Sequence, residues 1–269
     1  MDWTDTSTRF DRASATRHQA IADDPKYQHF VRIPRRIIRC LDYFGVDFDQ
    51  VVVQRRLRAY YLFIGVIDHA IDSGQAKVAQ VVLRKLDLTR HVGKSLDTSE
   101  VVLATERLKN EIPDEISLEM LKLFRALSET VEEERTAASM TEYIEVRKRV
   151  GQLTARLSYV LIRPLILRES SDICHFMERV GEIGCLVDSV IDLQEDTSRG
   201  LLGFQSTTLD FIRLLTCTFK TGARLSIRYP RLFGLFLEAV ADNVSDRFRA
   251  RTGDAQLQVI SKSAAATPT

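Results

Sequence analysis

Cysteine is sparse in this chain of 269 residues, and Cys40, Cys174, Cys185 and Cys217 stand far apart. No CxxC pair and no zinc-ligand spacing joins them. That excludes a structural zinc site and suits a reducing cytosol, with the four as small buried residues. Long apolar runs are missing too. The longest, Ala59 to Ile67, is too short to span a bilayer, so no transmembrane helix is expected. The opening stretch, MDWTDTSTRFDRAS, has no apolar core and does not read as a secretory signal. Charge of one sign is not in excess: the net charge is +1, so no bulk field favours nucleic acid or an acidic partner. No GxGxxG lies between a strand and a helix, which argues against a dinucleotide domain. His69 and His175 have neither HxxxH nor HExxH spacing and read as surface or satisfied core residues. Arg35-Arg36 and Arg55-Arg56 lack interleaved aromatics and read as solvated or membrane-near charge, not as a nucleic-acid patch.

What the chain does have is helical periodicity, with no solenoid repeat and no alternating strand with hairpin turns. The spacing predicts helices over Tyr27 to Phe44, Phe48 to Asp72, Gln75 to Leu86, Glu100 to Asn110, Ile116 to Glu134, Thr141 to Leu167, Ile173 to Glu195, Leu209 to Thr218 and Arg231 to Arg249. Pro34 is expected in a first helical turn, Ser73-Gly74 and Pro113-Asp114 as helix ends, and Pro164 as a kink or an end. Asp97-Thr98-Ser99-Glu100 suits a helix cap, and Ile116 to Glu134 is amphipathic through Leu118, Leu121, Leu123, Phe124 and Leu127. The expected fold class is all-α, about eight to ten helices around one core. Residues 1–25 read as a loose leader, 26–251 as a single helical domain, and 252–269 as a disordered tail.

The chemistry gathers on three helix faces. In LVDSVIDLQEDTSRG, Asp188, Asp192 and Asp196 recur every four residues and Glu195 joins them. Residues four apart stack on one side of a helix, where like carboxylates repel. At about 100° per residue, Gly181, Gly184 and Cys185 share that arc, so the face is small and then acidic, as the wall of a cavity would be. The second face carries Arg58, Tyr61, Gly65, Asp68 and Asp72; again a glycine precedes two carboxylates four apart. The third carries Tyr143, Arg147, Gly151, Thr154 and Ser158. A lone DxxxD is more often a solvated helix face. Two such faces with matched glycines point instead to divalent cations, since Mg²⁺ prefers carboxylate oxygens and shares them with substrate phosphates. Arginine is the natural bidentate partner of phosphate.

These residues resemble the squalene/phytoene synthase branch of the class I isoprenoid synthases. Asp188, Asp192, Glu195, Asp196 and Gly200 fall without a gap on that branch's second motif, N-x-x-x-D-x-x-E-D-x-x-x-G. Asp68 and Asp72 match its first, D-x-x-x-D; Tyr61 matches a tyrosine two turns before it, and Tyr143 to Gly151 resembles a tyrosine-led helix upstream of the second motif. The resemblance covers roughly Ala59 to Phe204. Four departures accompany it. Asp188 replaces an asparagine, Gly65 stands where an arginine is usual, the first motif lacks the extra acid beside Asp72, and the N-terminal segment with Arg32, Arg35, Arg36 and Arg39 does not match the family's usual opening. The acid spacing also matches the second metal motif of class I terpene cyclases, for which Arg228-Tyr229 stands as a diphosphate-contacting pair or as a chance dipeptide.

The resemblance implies a class I isoprenoid synthase-like bundle around a deep apolar cavity. More than one Mg²⁺ would be held by Asp68 and Asp72 on one side and by Asp188, Asp192 and Asp196 on the other, bridging the diphosphate of a C10–C20 prenyl substrate. It implies Arg58, Arg147 and Arg199 as diphosphate partners, and Tyr61 and Tyr143 as catalytic residues that stabilise the cation through their ring faces, with proton exchange as the alternative role of Tyr143. Three functions fit: coupling of two prenyl diphosphates, cyclisation of one, or a non-catalytic helical interaction domain. The expected location is cytoplasmic, with peripheral membrane contact as an option. Arg224 to Phe236, basic and then apolar, reads either as a surface-resting segment or as a core-facing helix.

Overall fold

The structure, a computed structural model, describes residues 16, 18–86, 99–166, 171–230, 234, 237, 238 and 241. Among these residues the fold is all-α. No strand is present, and Phe48 and Ile166 form an isolated bridge. In chain order the helices are α1 (Gln28–Tyr43), α2 (Gln50–Ala70), α3 (Ala76–Lys85), α4 (Ser99–Lys109), α5 (Asp114–Thr136), α6 (Met140–Ile162), α7 (Ser171–Arg199) and α8 (Thr208–Arg228). No helix among the described residues is long and apolar enough to cross a membrane.

Helix α2 is the axis of the bundle. Asp49 caps it by accepting from the amides of Val51 and Val52 at 3.0 and 3.1 Å. Val51 to Val53, β-prone by composition, are held in its first turns. From Ala59 to Ile67 it is buried on almost every side, which explains an apolar run with no polar face. Leu57, Tyr60 and Phe63 are fully enclosed, each contributing about 1.5–3 kcal/mol through its apolar surface. Helices α1, α4, α6 and α3 pack against it.

Helices α6 and α7 form the other half, pressed together at Gly151 and Gly181. A β-carbon on either would drive into the other's carbonyl oxygen, so the two backbones touch. A smaller apolar cluster of Met140, Tyr143, Ile144, Leu186, Leu193 and Leu214 seals α6, α7 and α8 beside it. Helix α8 begins with a capping box between Thr207 and Asp210.

Several expectations change. The leader predicted over 1–25 is packed at its end: residues 18–23 are helical, and Ile21 and Ala22 join the core. Pro34 lies two turns inside α1, not in its first turn. Leu118 faces solvent, and the inner face of α5 is Ile116, Met120, Phe124 and Leu127. Helices α7 and α8 run further than their periodicity suggested, to Arg199 and Arg228. Pro164 ends α6 in a 3-10 turn. The four cysteines are free as expected, yet half-buried, not fully buried. The predicted cap at Asp97-Thr98, the body of the helix predicted over Arg231 to Arg249, and the tail fall outside the described residues.

Candidate functional site

One cavity of 530 Å³ opens among α1, α2, α5, α6, α7 and α8. Each of the three chemistry-bearing faces turns toward it. Asp68 and Asp72 enter from α2 and the turn after it; Asp188, Asp192 and Asp196 enter from α7; Tyr143 and Arg147 enter from α6. Most of the remaining lining is apolar, including Phe30, Ile64, Phe176, Met177, Val180 and Leu225. The cavity therefore combines carboxylates with hydrocarbon surface, a lining that suits an amphiphile with a charged head.

The two acid pairs are set differently. Asp68 stands on regular helix, whereas Asp72 lies in a kinked turn, Ile71–Gln75, between α2 and α3. Gly74 leaves that turn with φ +81°, a left-handed conformation that suits glycine. On α7 the regular helix continues through Asp196 and stops at Gly200, φ +68°.

Electrostatics couples the two sides. Burial, and then the Asp72 carboxylate, push Asp196 up to about 6. The two acid-bearing elements thus sense each other. Among the described residues no three His, Cys, Asp or Glu side chains are gathered tightly enough to hold an ion by themselves. The donor set is all carboxylate oxygen, the chemistry a hard divalent cation takes, and a cation here would complete its shell with water or ligand oxygens.

Arg147 lies within the wall and is held on three sides. Its Nε donates to Ser189 Oγ at 2.8 Å, Nη1 to Glu134 at 3.1 and 3.3 Å, and Nη2 to the Cys185 carbonyl at 3.2 Å. Burial is the largest single influence and opposes its charge, but the Glu134 carboxylate together with Cys185, Tyr143 and Asp188 raises Arg147 well above the ordinary arginine. Tyr143 donates to Ser189 Oγ at 3.2 Å, and Ser189 donates to the Cys185 carbonyl at 2.9 Å. Tyr61 donates to Ser158 Oγ at 3.4 Å. Burial pushes both phenols up to about 12, so both are neutral at physiological pH.

The predicted cationic set needs correction. Arg58 is exposed on α2 and does not line the cavity. Arg199 is exposed and pairs with Glu195 at 2.6 Å, so neither is placed to meet a ligand inside. Arg58 lies at the edge of its arc, where a small angular error separates lining from solvent; Arg199 lies on the arc of the aspartates but at the last residue of α7, past the stretch that lines the cavity. Arg36 and Arg135 line the cavity in their place. In the sequence Arg36, with no interleaved aromatics beside it, reads as solvated or membrane-near charge. Glu134 was hidden at the end of the run Glu132 to Glu134, which looks like a solvated face; only its position one turn past Thr130, itself buried, marks it.

The glycines divide between two uses. Gly184 faces open space in the cavity, as a small-residue wall predicts. Gly65 is covered by the Phe30 ring, whose nearest carbon would sit 2.5 Å from an added β-carbon. Gly151 and Gly181 serve the contact between helices. Tyr229 packs between Phe44 and Phe176 at 6.1 and 5.0 Å, and Arg228 lies over its ring. That makes Tyr229 part of the apolar wall. No family model, curated protein or solved structure matches this chain.

Proposed function

We propose that this chain is a Mg²⁺-dependent isoprenoid synthase that ionises a prenyl diphosphate, of the squalene/phytoene synthase-like kind. One observation carries the reading: carboxylates from two separate parts of the fold, Asp68 and Asp72 at the end of α2 and Asp188, Asp192 and Asp196 on α7, line one cavity whose remaining lining is mostly apolar. A prenyl diphosphate has that polarity, a charged head and a hydrocarbon tail.

In this reading the five aspartates would hold the ions, which supply neutralisation of the diphosphate as its C–O bond breaks. Arg147 and Arg135 add positive charge to the cavity lining. Glu134 keeps Arg147 in place until an anion competes for it. The walls of α1, α7 and α8 exclude water from the carbocation left behind. Tyr61 and Tyr143, neutral and buried, present aromatic faces that stabilise positive charge, and their serine partners fix the rings.

The test is diphosphate release from geranyl, farnesyl and geranylgeranyl diphosphate, with and without Mg²⁺. Metal-dependent release from at least one is expected. No release from any of the three removes the enzymatic reading and leaves a helical interaction domain. A single-substrate cyclase is a second reading, favoured by the i, i+4, i+8 aspartate row on α7. Product mass separates the two: a doubled carbon count means coupling, an unchanged count means cyclisation.

A further inference from the structure

Helix α8 carries a surface that the cavity does not explain. Its inner side is anchored by Leu214, Gly222 and Leu225. On its outer side Leu209, Ile212, Thr216, Phe219, Ala223 and Ile227 follow at intervals of three and four and form one row. Leu209 is 77%, Ile212 52%, Phe219 71% and Ile227 82% exposed. Single exposed apolar residues are ordinary, but a row about 27 Å long at 1.5 Å per residue is not.

Beside this row, on the adjoining arc, run Arg213, Lys220, Arg224 and Arg228. The acid of α8, Asp210, is spent in the capping box. Arg224 and Arg228 continue into a second cavity of 530 Å³ between α6, α7 and α8, whose wall adds Lys148, Arg149 and Arg179, paired with Glu145, Glu133 and Glu182 respectively. Leu225 and Tyr229 line both this cavity and the acidic one.

We propose that this face of α8 docks on an anionic lipid surface. The apolar row enters the boundary between headgroups and acyl chains, while the basic row and the basic cavity receive lipid phosphates. Helices that lie in the plane of a bilayer have this division, apolar on one arc and Lys/Arg on the next. Charge complementarity selects the occupant. In an antiparallel two-fold pairing with a second copy, the basic row would face itself and repel. The proposal stands apart from the enzymatic reading, because lipid binding is measured without substrate or metal.

The test is co-sedimentation of the full chain with vesicles of phosphatidylcholine alone and of phosphatidylcholine with phosphatidylserine. Binding is expected only to the anionic vesicles and should weaken as salt rises. The double variants Phe219→Ser with Ile227→Ser, and Arg224→Glu with Arg228→Glu, should each lower the affinity at least about tenfold, with unchanged circular dichroism. The two pairs are independent, so misfolding of one leaves the other to decide. Equal binding to both vesicle types, or either folded variant binding like wild type, overturns the proposal. Displacement by millimolar inorganic phosphate also overturns it, by making the basic cavity a site for a free anion. So does a dimer in light scattering that the Phe219/Ile227 variant dissolves, since a second copy would then cover the row.

Discussion

Arg147 and Glu134 meet at 3.1 Å inside the cavity wall, both largely shielded from water. Neither can be neutralised alone without leaving the other uncompensated. Glu134→Gln is expected to cost about 1.5–3 kcal/mol, the range for a hydrogen bond to a charged group. A shift of the urea midpoint measures it. Inorganic diphosphate should restore more stability to the variant than to wild type, because an anion can take the place of the lost carboxylate. A variant as stable as wild type would make the pair a solvated contact.

The two acid pairs should fail together in function and not in folding. Asp68→Ala and Asp192→Ala are each expected to abolish Mg²⁺-dependent diphosphate release, with helical circular dichroism near that of wild type. Loss of the helical signal would instead make these carboxylates structural.

Asp196 gives the metal-free protein a pH dependence of definite sign. Its folded value, about 6, lies above the ordinary carboxylate value of 3.8. The native state therefore holds this proton to higher pH than the unfolded chain, and stability from this group falls as pH rises from about 4 to 6. Asp196→Asn should raise Tm at pH 7.5 by about 1–3 °C, a modest gain because the site is partly solvent-screened. The difference should vanish near pH 4. An equal difference at both pH values would place its origin outside titration.

Gly181 and Gly184 stand three residues apart and should respond oppositely to alanine. At Gly181 the new β-carbon meets the Gly151 backbone, and a loss of about 1–3 kcal/mol is expected. At Gly184 it enters open space, and alanine's helix propensity should add up to about 1 kcal/mol. Thermal melts of the two variants, side by side, check both. If Gly184→Ala also slows diphosphate release, the open space beside it belongs to the ligand.

The acid faces were legible because a helix converts spacing into direction: carboxylates four apart must share a side, and the side free of Leu and Ile had to face something other than packing. The all-α class followed from the same rule. Arg58 was misplaced because periodicity gives the arc but not its edges, and Arg199 because periodicity does not say how far along a helix the cavity extends. Glu134 and Arg36 were missed because a charged run or doublet looks alike whether one member turns inward or all remain in water. The end of the leader was missed since two apolar residues, Ile21 and Ala22, make no period by themselves, yet a neighbouring core suffices to fold them in. Glycines could be seen but not sorted, for a helix contact and a cavity wall both call for the smallest residue.

The kinked turn at Ile71–Gln75 gives the carboxylates of Asp68 and Asp72 different mountings. Asp68 is carried by a helix whose neighbouring turns are buried in the core, so moving it means moving the bundle. Asp72 is carried by a five-residue turn that exits through a left-handed glycine. The spacing between the two carboxylates is therefore set by backbone outside α2, and re-aiming Asp72 requires a change in those five residues alone, with the register of α2 and the packing around it kept.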